Sequence, residues 1–151
     1  METALHERVT TGVSHMAFSV APGTLTPEWR EAFLAFYGRF GWSEIENSPR
    51  PDRFTVAIGG GAYLNLREKA EPMTCTGYEH FGMFVESTER VEELYSALRS
   101  RDDIELEDMV ANEGGIRSFR FRYLLPVAME IQWFPPGMAD ESPRRWGRSM
   151  M

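Results

Sequence analysis

The sequence predicts an α+β protein built from two βαβββ modules, which together form a curved mixed sheet with both helices outside. Three observations carry this. Strand-like and helix-like segments recur in the same order in both halves of the 151-residue chain. A single offset of 65 residues lays the first and last strands of one half over those of the other. Within these strands, bulky apolar residues share one parity and small or polar residues the other.

The first strand is "HMAFSV", 15–20, in which Met16, Phe18 and Val20 alternate with His15, Ala17 and Ser19. A histidine thus opens a half-buried strand on the face opposite its bulky residues. The helix follows in "TPEWREAFLAFYGRF". Trp29, Ala32, Phe33, Phe36, Tyr37 and Phe40 form one apolar stripe at helical spacing. Thr26 suits its N-cap, Pro27 its first position and Gly41 its end. "WSEIE", "RFTVAI" and "AYLNLRE" then read as strands, the last two joined by a tight turn at "GGG".

After the connector "EKAEPMTCTG" the order repeats. "EHFGMFV" is a strand holding His80, and "TERVEELYSALRS" is a helix with Val91, Leu94, Tyr95 and Leu98 on one side, capped by Ser87 or Thr88. "IELED", "IRSFRFRYL" and "AMEIQWF" complete the set. The offset that carries His15 onto His80 also carries Phe54, Val56 and Ile58 onto Phe119, Phe121 and Tyr123, and Asn65 onto Glu130. Module one is placed at about 12–69, a linker at 70–77, module two at 78–136 and a C-terminal arm at 137–151, all within one domain.

Each half packs its bulky strand face on its own helix. The other face is left for use, and His15, Asn65, His80 and Glu130 share it. Two imidazoles and a carboxylate on rigid strands suit Fe, Mn, Zn, Ni or Co, with positions open for water or substrate. His15, His80 and Glu130 are therefore the candidate metal ligands. Glu130 and Asn65 are also the candidate catalytic groups, Asn65 through its carbonyl oxygen or by orienting a water. The bland readings stand beside these: a strand histidine bonded to a backbone carbonyl, and a strand glutamate exposed at an edge. Tyr63, Arg67, Arg120 and Arg122 have the inner parity and are candidate substrate contacts. Two guanidinium groups there would favour an anionic carboxylate, phosphonate or enolate, unless they pair with the chain's many acids. Arg117 shares the parity of Phe119, on the helix side.

Composition narrows the classes. A net charge of −7 and a pI near 5.0 argue against a nucleic-acid surface, and no polybasic patch suggests a membrane partner. No apolar run approaches the ~20 residues of a membrane helix, and "METALHERVT" has no signal-peptide core. Cys75 is the single cysteine, consistent with a reducing cytoplasm, and it reads as a linker thiol. His6 reads as a solvated residue of the N-terminal arm. In the C-terminal arm, Trp146 among arginines suits an anchor on a partner subunit.

At these residues the sequence resembles the vicinal oxygen chelate superfamily, which includes glyoxalase I, methylmalonyl-CoA epimerase, fosfomycin-resistance enzymes, bleomycin-binding proteins and extradiol dioxygenases. The resemblance spans about 12–136 and rests on the paired modules, His15 and His80 in the first strands, and Glu130 in the last. It implies the glyoxalase/bleomycin-resistance/dioxygenase-like fold and a metal-dependent lyase, isomerase or dioxygenase. It also implies a small-molecule substrate that chelates the metal through oxygen, and a homodimer, some relatives building their cups from halves of two chains. The alternative it implies is a metal-free, drug-sequestering protein of the bleomycin-resistance kind. Asn65 stands where glyoxalase I-like proteins carry a carboxylate, which weighs against isomerising a thiohemiacetal. "YLLPVAME" replaces the Asp-Pro-x-Gly turn of many relatives, so the last hairpin is expected to differ.

Overall fold

A computed structural model describes residues 13–45, 50–112 and 114–136. His6, Trp146 and the two arms lie outside the described residues. The chain divides between Pro72 and Met73 into two compact units.

In the first unit, β1 (His15–Val20) is followed by α1 (Pro27–Tyr37), a 3-10 turn (Gly38–Phe40), β2 (Ser43–Glu44), β3 (Arg53–Gly59) and β4 (Ala62–Glu68). The strands form one sheet in the order β1-β4-β3-β2, with β1 parallel to β4 and the other pairs antiparallel. Thr26 caps α1 by accepting from the Trp29 amide at 3.2 Å, and Pro27 fills the first turn, where its missing N–H costs nothing. Beyond Tyr37 the helix tightens into the 3-10 turn, which Gly41 ends at φ +81. The alternation of β3 and β4 places Phe54, Val56, Ile58, Leu64 and Leu66 under the helix, all buried with Phe33, Phe36 and Tyr37. Phe33 meets Phe54 edge-on at 5.4 Å, a preferred aromatic geometry. Gly59, Gly60 and Gly61 all have positive φ, so the β3–β4 turn takes a course closed to most side chains.

In the second unit, β5 (His80–Phe84) leads to α2 (Thr88–Arg99), β6 (Glu105–Leu106), β7 (Val110–Ala111), β8 (Arg117–Arg122) and β9 (Ala128–Trp133). The sheet order is β5-β9-β8-β6, and β7 also pairs with β8. Ser87 is the cap of α2, accepting from the Arg90 amide at 3.1 Å. Val91, Leu94 and Leu98 are buried, as are Phe119, Phe121, Met129 and Ile131 of the sheet, and Tyr95 meets Phe119 at 5.3 Å.

The second unit departs from four simple strands after α2, over 105–111. Here β6 and β7 are two pieces of one strand lying along β8, and the register shifts by one residue between them. The β8–β9 connection also has its own form. Leu124 adopts φ +59, a left-handed conformation that is costly for a branched side chain, and the Leu125 amide closes on the Tyr123 carbonyl at 2.7 Å.

The repeat survives as register. His15 lies beside Tyr63 and Ala17 beside Asn65, just as His80 lies beside Ala128 and Gly82 beside Glu130. Thr55 faces Asn65 as Arg120 faces Glu130. All these pairs are related by the same 65-residue offset.

Candidate metal-binding and substrate face

The non-helical face of the second unit is built row by row. One row runs from Gly82 through Glu130 to Arg120, and the Glu107 amide donates to the Arg120 carbonyl at 2.9 Å. His80, two residues before Gly82 on β5, has the same parity and turns its ring toward Glu130 on the neighbouring strand. Its Nε2 lies 3.1 Å from Glu130 Oε2, with the two side chains 26% and 15% exposed. Two of the three predicted ligands are therefore in contact.

The other ring nitrogen defines the chemistry of this pair. His80 Nδ1 is 2.6 Å from the Tyr78 carbonyl oxygen. A carbonyl only accepts, so Nδ1 carries a proton and donates it. A neutral ring would then turn the Nε2 lone pair toward a carboxylate oxygen, two acceptors in contact. A proton shared between ring and carboxyl, or a cation held by both, satisfies such a contact. Metal-binding histidines donate their remote N–H to a carbonyl in this manner. The donor set, one imidazole nitrogen and one carboxylate oxygen with a fixed tautomer, thus fits a divalent metal. The hydrogen bond to a backbone carbonyl expected of an ordinary strand histidine is also present, and the two roles coincide.

A short clamp supports the Tyr78 carbonyl. Glu79 accepts from the Thr76 amide at 2.8 Å and from the Thr76 hydroxyl at 2.9 Å, closing a turn around Gly77. The amide of Glu79 itself, followed by the Thr76 hydroxyl and amide, holds the Glu79 carboxyl below the usual carboxylate range.

In the first unit, His15 occupies the repeat position of His80 but has different surroundings. Its ring stacks on Tyr63 with centroids 5.0 Å apart and planes 11° apart. Its Nδ1 lies 2.9 Å from the Ser14 hydroxyl, which can serve as donor or acceptor. Asn65 Oδ1 accepts from the Thr55 hydroxyl at 3.4 Å, a long contact. Arg67 is exposed, 3.8 Å from Asp52. Among the described residues, no three His, Cys, Asp or Glu side chains gather in a group that could hold a metal ion.

Arg120 and Arg122 stand on the predicted face, and each has an acidic partner. Arg120 Nε donates to Glu107, and Arg122 Nε lies 3.8 Å from Glu105 Oε2. A pocket of about 230 Å³ opens there, lined by both arginines, both glutamates, Gly77, Leu106, Phe121 and Ala128.

Sequence reasoning had not assigned Glu105, Glu107, Gly82, Gln132 or the Thr76–Glu79 clamp to the site. Glu105 and Glu107 were legible in principle, since they alternate in "IELED" as do the arginines in "RFR". Gln132 follows Glu130 at the same parity, and its Oε1 would lie 3.3 Å from a Cβ placed on Gly82. The clamp left no signal, because its key acceptor is a main-chain carbonyl.

The chain has the glyoxalase/bleomycin-resistance/dioxygenase-like fold. Among solved structures, the genomically encoded fosfomycin resistance protein FosX of Listeria monocytogenes matches with a TM-score of 0.63 and 20% identity, over 92% of this chain and 98% of its own. A FosX variant complexed with Mn(II) and 1S,2S-dihydroxypropylphosphonic acid matches with a TM-score of 0.63 and 18% identity, over 84% and 95%. Lactoylglutathione lyase of Agrobacterium tumefaciens matches with a TM-score of 0.59 and 16% identity, over 82% and 93%. No family model matches the sequence, and no curated protein matches it. Among the described residues, no helix is long and apolar enough to cross a membrane.

Proposed function

We propose that this chain is a divalent-metal-dependent enzyme of the vicinal oxygen chelate type, acting on a small molecule that presents chelating oxygens. The observation that carries this reading is the His80–Glu130 pair, in which a tautomer fixed by Tyr78 turns Nε2 onto a carboxylate. His80 Nε2 and Glu130 are two ligands, and His15, which has the same repeat position as His80, is the third. Fe, Mn, Zn, Ni and Co all suit that set. The Mn(II) named with the FosX variant supports a metal of this kind.

When bound, such a metal supplies Lewis acidity to an oxygen of the substrate. The protein's own groups do the positioning. The Tyr78 carbonyl keeps the proton on His80 Nδ1, so that Nε2 keeps its lone pair for a cation. Gly82, the strand partner of Glu130, has no side chain, and the Gln132 amide lies close above it. Glu130, beside His80 Nε2, would supply negative charge and a proton acceptor there. On the first unit's own non-helical face, Asn65 is the candidate amide and Tyr63 the candidate aromatic wall. The chemistry open to this set is isomerisation, lyase-type addition or elimination, and dioxygenation. A homodimer located in the cytoplasm completes the reading, and sedimentation velocity tests its oligomeric part.

The same pair supports a second reading. A doubly protonated His80 makes an imidazolium–carboxylate ion pair that needs no metal, as in a metal-free protein that sequesters small molecules. Elemental analysis of the full chain purified without added metal separates the two. The metalloenzyme reading expects about one divalent metal per chain, lost in folded His80→Ala, Glu130→Gln and His15→Ala variants. Metal-free protein that takes up no Mn(II), Zn(II) or Fe(II) on titration overturns it.

A further inference from the structure

We infer that the pocket lined by Arg120, Arg122, Glu105 and Glu107 is a subsite for a dipolar ligand, one that joins an acidic group to an ammonium. The inference rests on the proposed function only in making this subsite part of the substrate's binding place. Register sets the pocket beside the candidate metal pair: Arg120 is the strand partner of Glu130, and Ala128, in the pocket wall, is the strand partner of His80. Its volume, about 230 Å³, falls below the roughly 300–1,000 Å³ of drug-sized sites, so it suits a small molecule.

The charges decide the class. Two guanidinium groups and two carboxylates line the pocket, and the remaining lining residues carry none. Arg120 and Arg122 are 30% and 28% exposed, whereas Glu107 and Glu105 are 50% and 83% exposed. The cations therefore lie inward and the anions at the rim. The two pairs also differ in tightness. Arg120 is hydrogen-bonded to Glu107, but the 3.8 Å between Arg122 and Glu105 is beyond hydrogen-bond reach. Arg122 is the guanidinium that an entering acid can engage without breaking a hydrogen bond. Exposed ion pairs are weak, so Glu105 yields readily.

A ligand bearing only an acid gains Arg122 but lies against two carboxylates. One bearing only an ammonium gains those carboxylates but lies against two guanidiniums. A dipolar ligand meets both signs with the opposite charge, and the unfavourable half of each encounter supplies the discrimination.

The test uses three probes on the full chain: aminomethylphosphonate, methylphosphonate and methylammonium, titrated by calorimetry and by amide NMR, first without metal and then with Mn(II). Aminomethylphosphonate is expected to bind at least tenfold more tightly than either single-charge probe and to shift the amides of Glu105 and Arg122. Arg122→Gln should abolish that preference, and the Glu105→Gln, Glu107→Gln double variant should turn it toward methylphosphonate, with circular dichroism confirming the fold. Equal or tighter binding of methylphosphonate to the wild type overturns the inference, as does absence of binding by all three probes. Failure to bind Mn(II) strikes the metal reading alone, because the metal-free titrations still report on the pocket.

Discussion

His15 and His80 hold the same place in the repeat, and their neighbours divide their roles. Beside His15 stands Tyr63, whose ring it stacks on; beside His80 stands Ala128, too small to hold an imidazole. Within each unit the neighbouring strand carries the polar partner, Asn65 on β4 in the first and Glu130 on β9 in the second. His80 therefore leans on a carboxylate, and its tautomer depends on the Tyr78 carbonyl. That carbonyl is presented by the turn that Thr76 and Glu79 close. Thr76→Val removes the hydroxyl contact while sparing the amide, and should weaken metal binding by about tenfold with little change in thermal stability. Titration calorimetry with Mn(II) checks it, and unchanged affinity would release the clamp from any positioning role. The meeting of His80 and Glu130 was legible in the sequence because parity and the repeat mark side chains. A main-chain acceptor carries no such mark, so the element that orients His80 was not.

At the scale of elements, α1 is held by an aromatic cluster that its periodic stripe announced. Phe54, 1% exposed, takes the edge of Phe33 and lies under Trp29. Phe54→Ala should cost about 3–5 kcal/mol in urea-induced unfolding, the usual range for a buried phenylalanine, and a loss below 1 kcal/mol would show that the cluster repacks. The loop leading into α1 is tied to the sheet by Glu68 at the end of β4, whose carboxylate accepts from the Leu25 amide at 2.8 Å. The amides of Leu25 and Gly23 lower its pKa in the folded state. A depressed carboxylate stabilises the fold above its unfolded pKa and loses that contribution as pH falls through the folded value. The wild type should therefore exceed Glu68→Gln in stability at neutral pH and converge with it below the ordinary carboxylate range. Thermal melts across pH check the sign; a gap that widens on acidification would contradict it.

For the molecule as a whole, the two-fold repeat is the organising fact. It was legible because the 65-residue offset is preserved in the strand pairing itself, linking β1, β3 and β4 to β5, β8 and β9. It fails at β2 and β6, where Ser43 pairs with Ala57 but Glu105 pairs with Arg122, out of step with the offset. These two-residue edge strands lie farthest from the histidine strands and contribute little to the core, so their sequences carry weak alternation. The partnership of Arg120 and Arg122 with Glu107 and Glu105 depends on that edge register, which explains why the arginines were legible as inner residues but their partners were not. The central claim is that His80 and Glu130 share a cation. Anomalous diffraction at the zinc edge, from crystals grown with Zn(II), tests it most directly. The account predicts a peak within about 2.0–2.2 Å of both His80 Nε2 and a Glu130 carboxylate oxygen. Density showing the pair in direct contact with no metal peak there would contradict it.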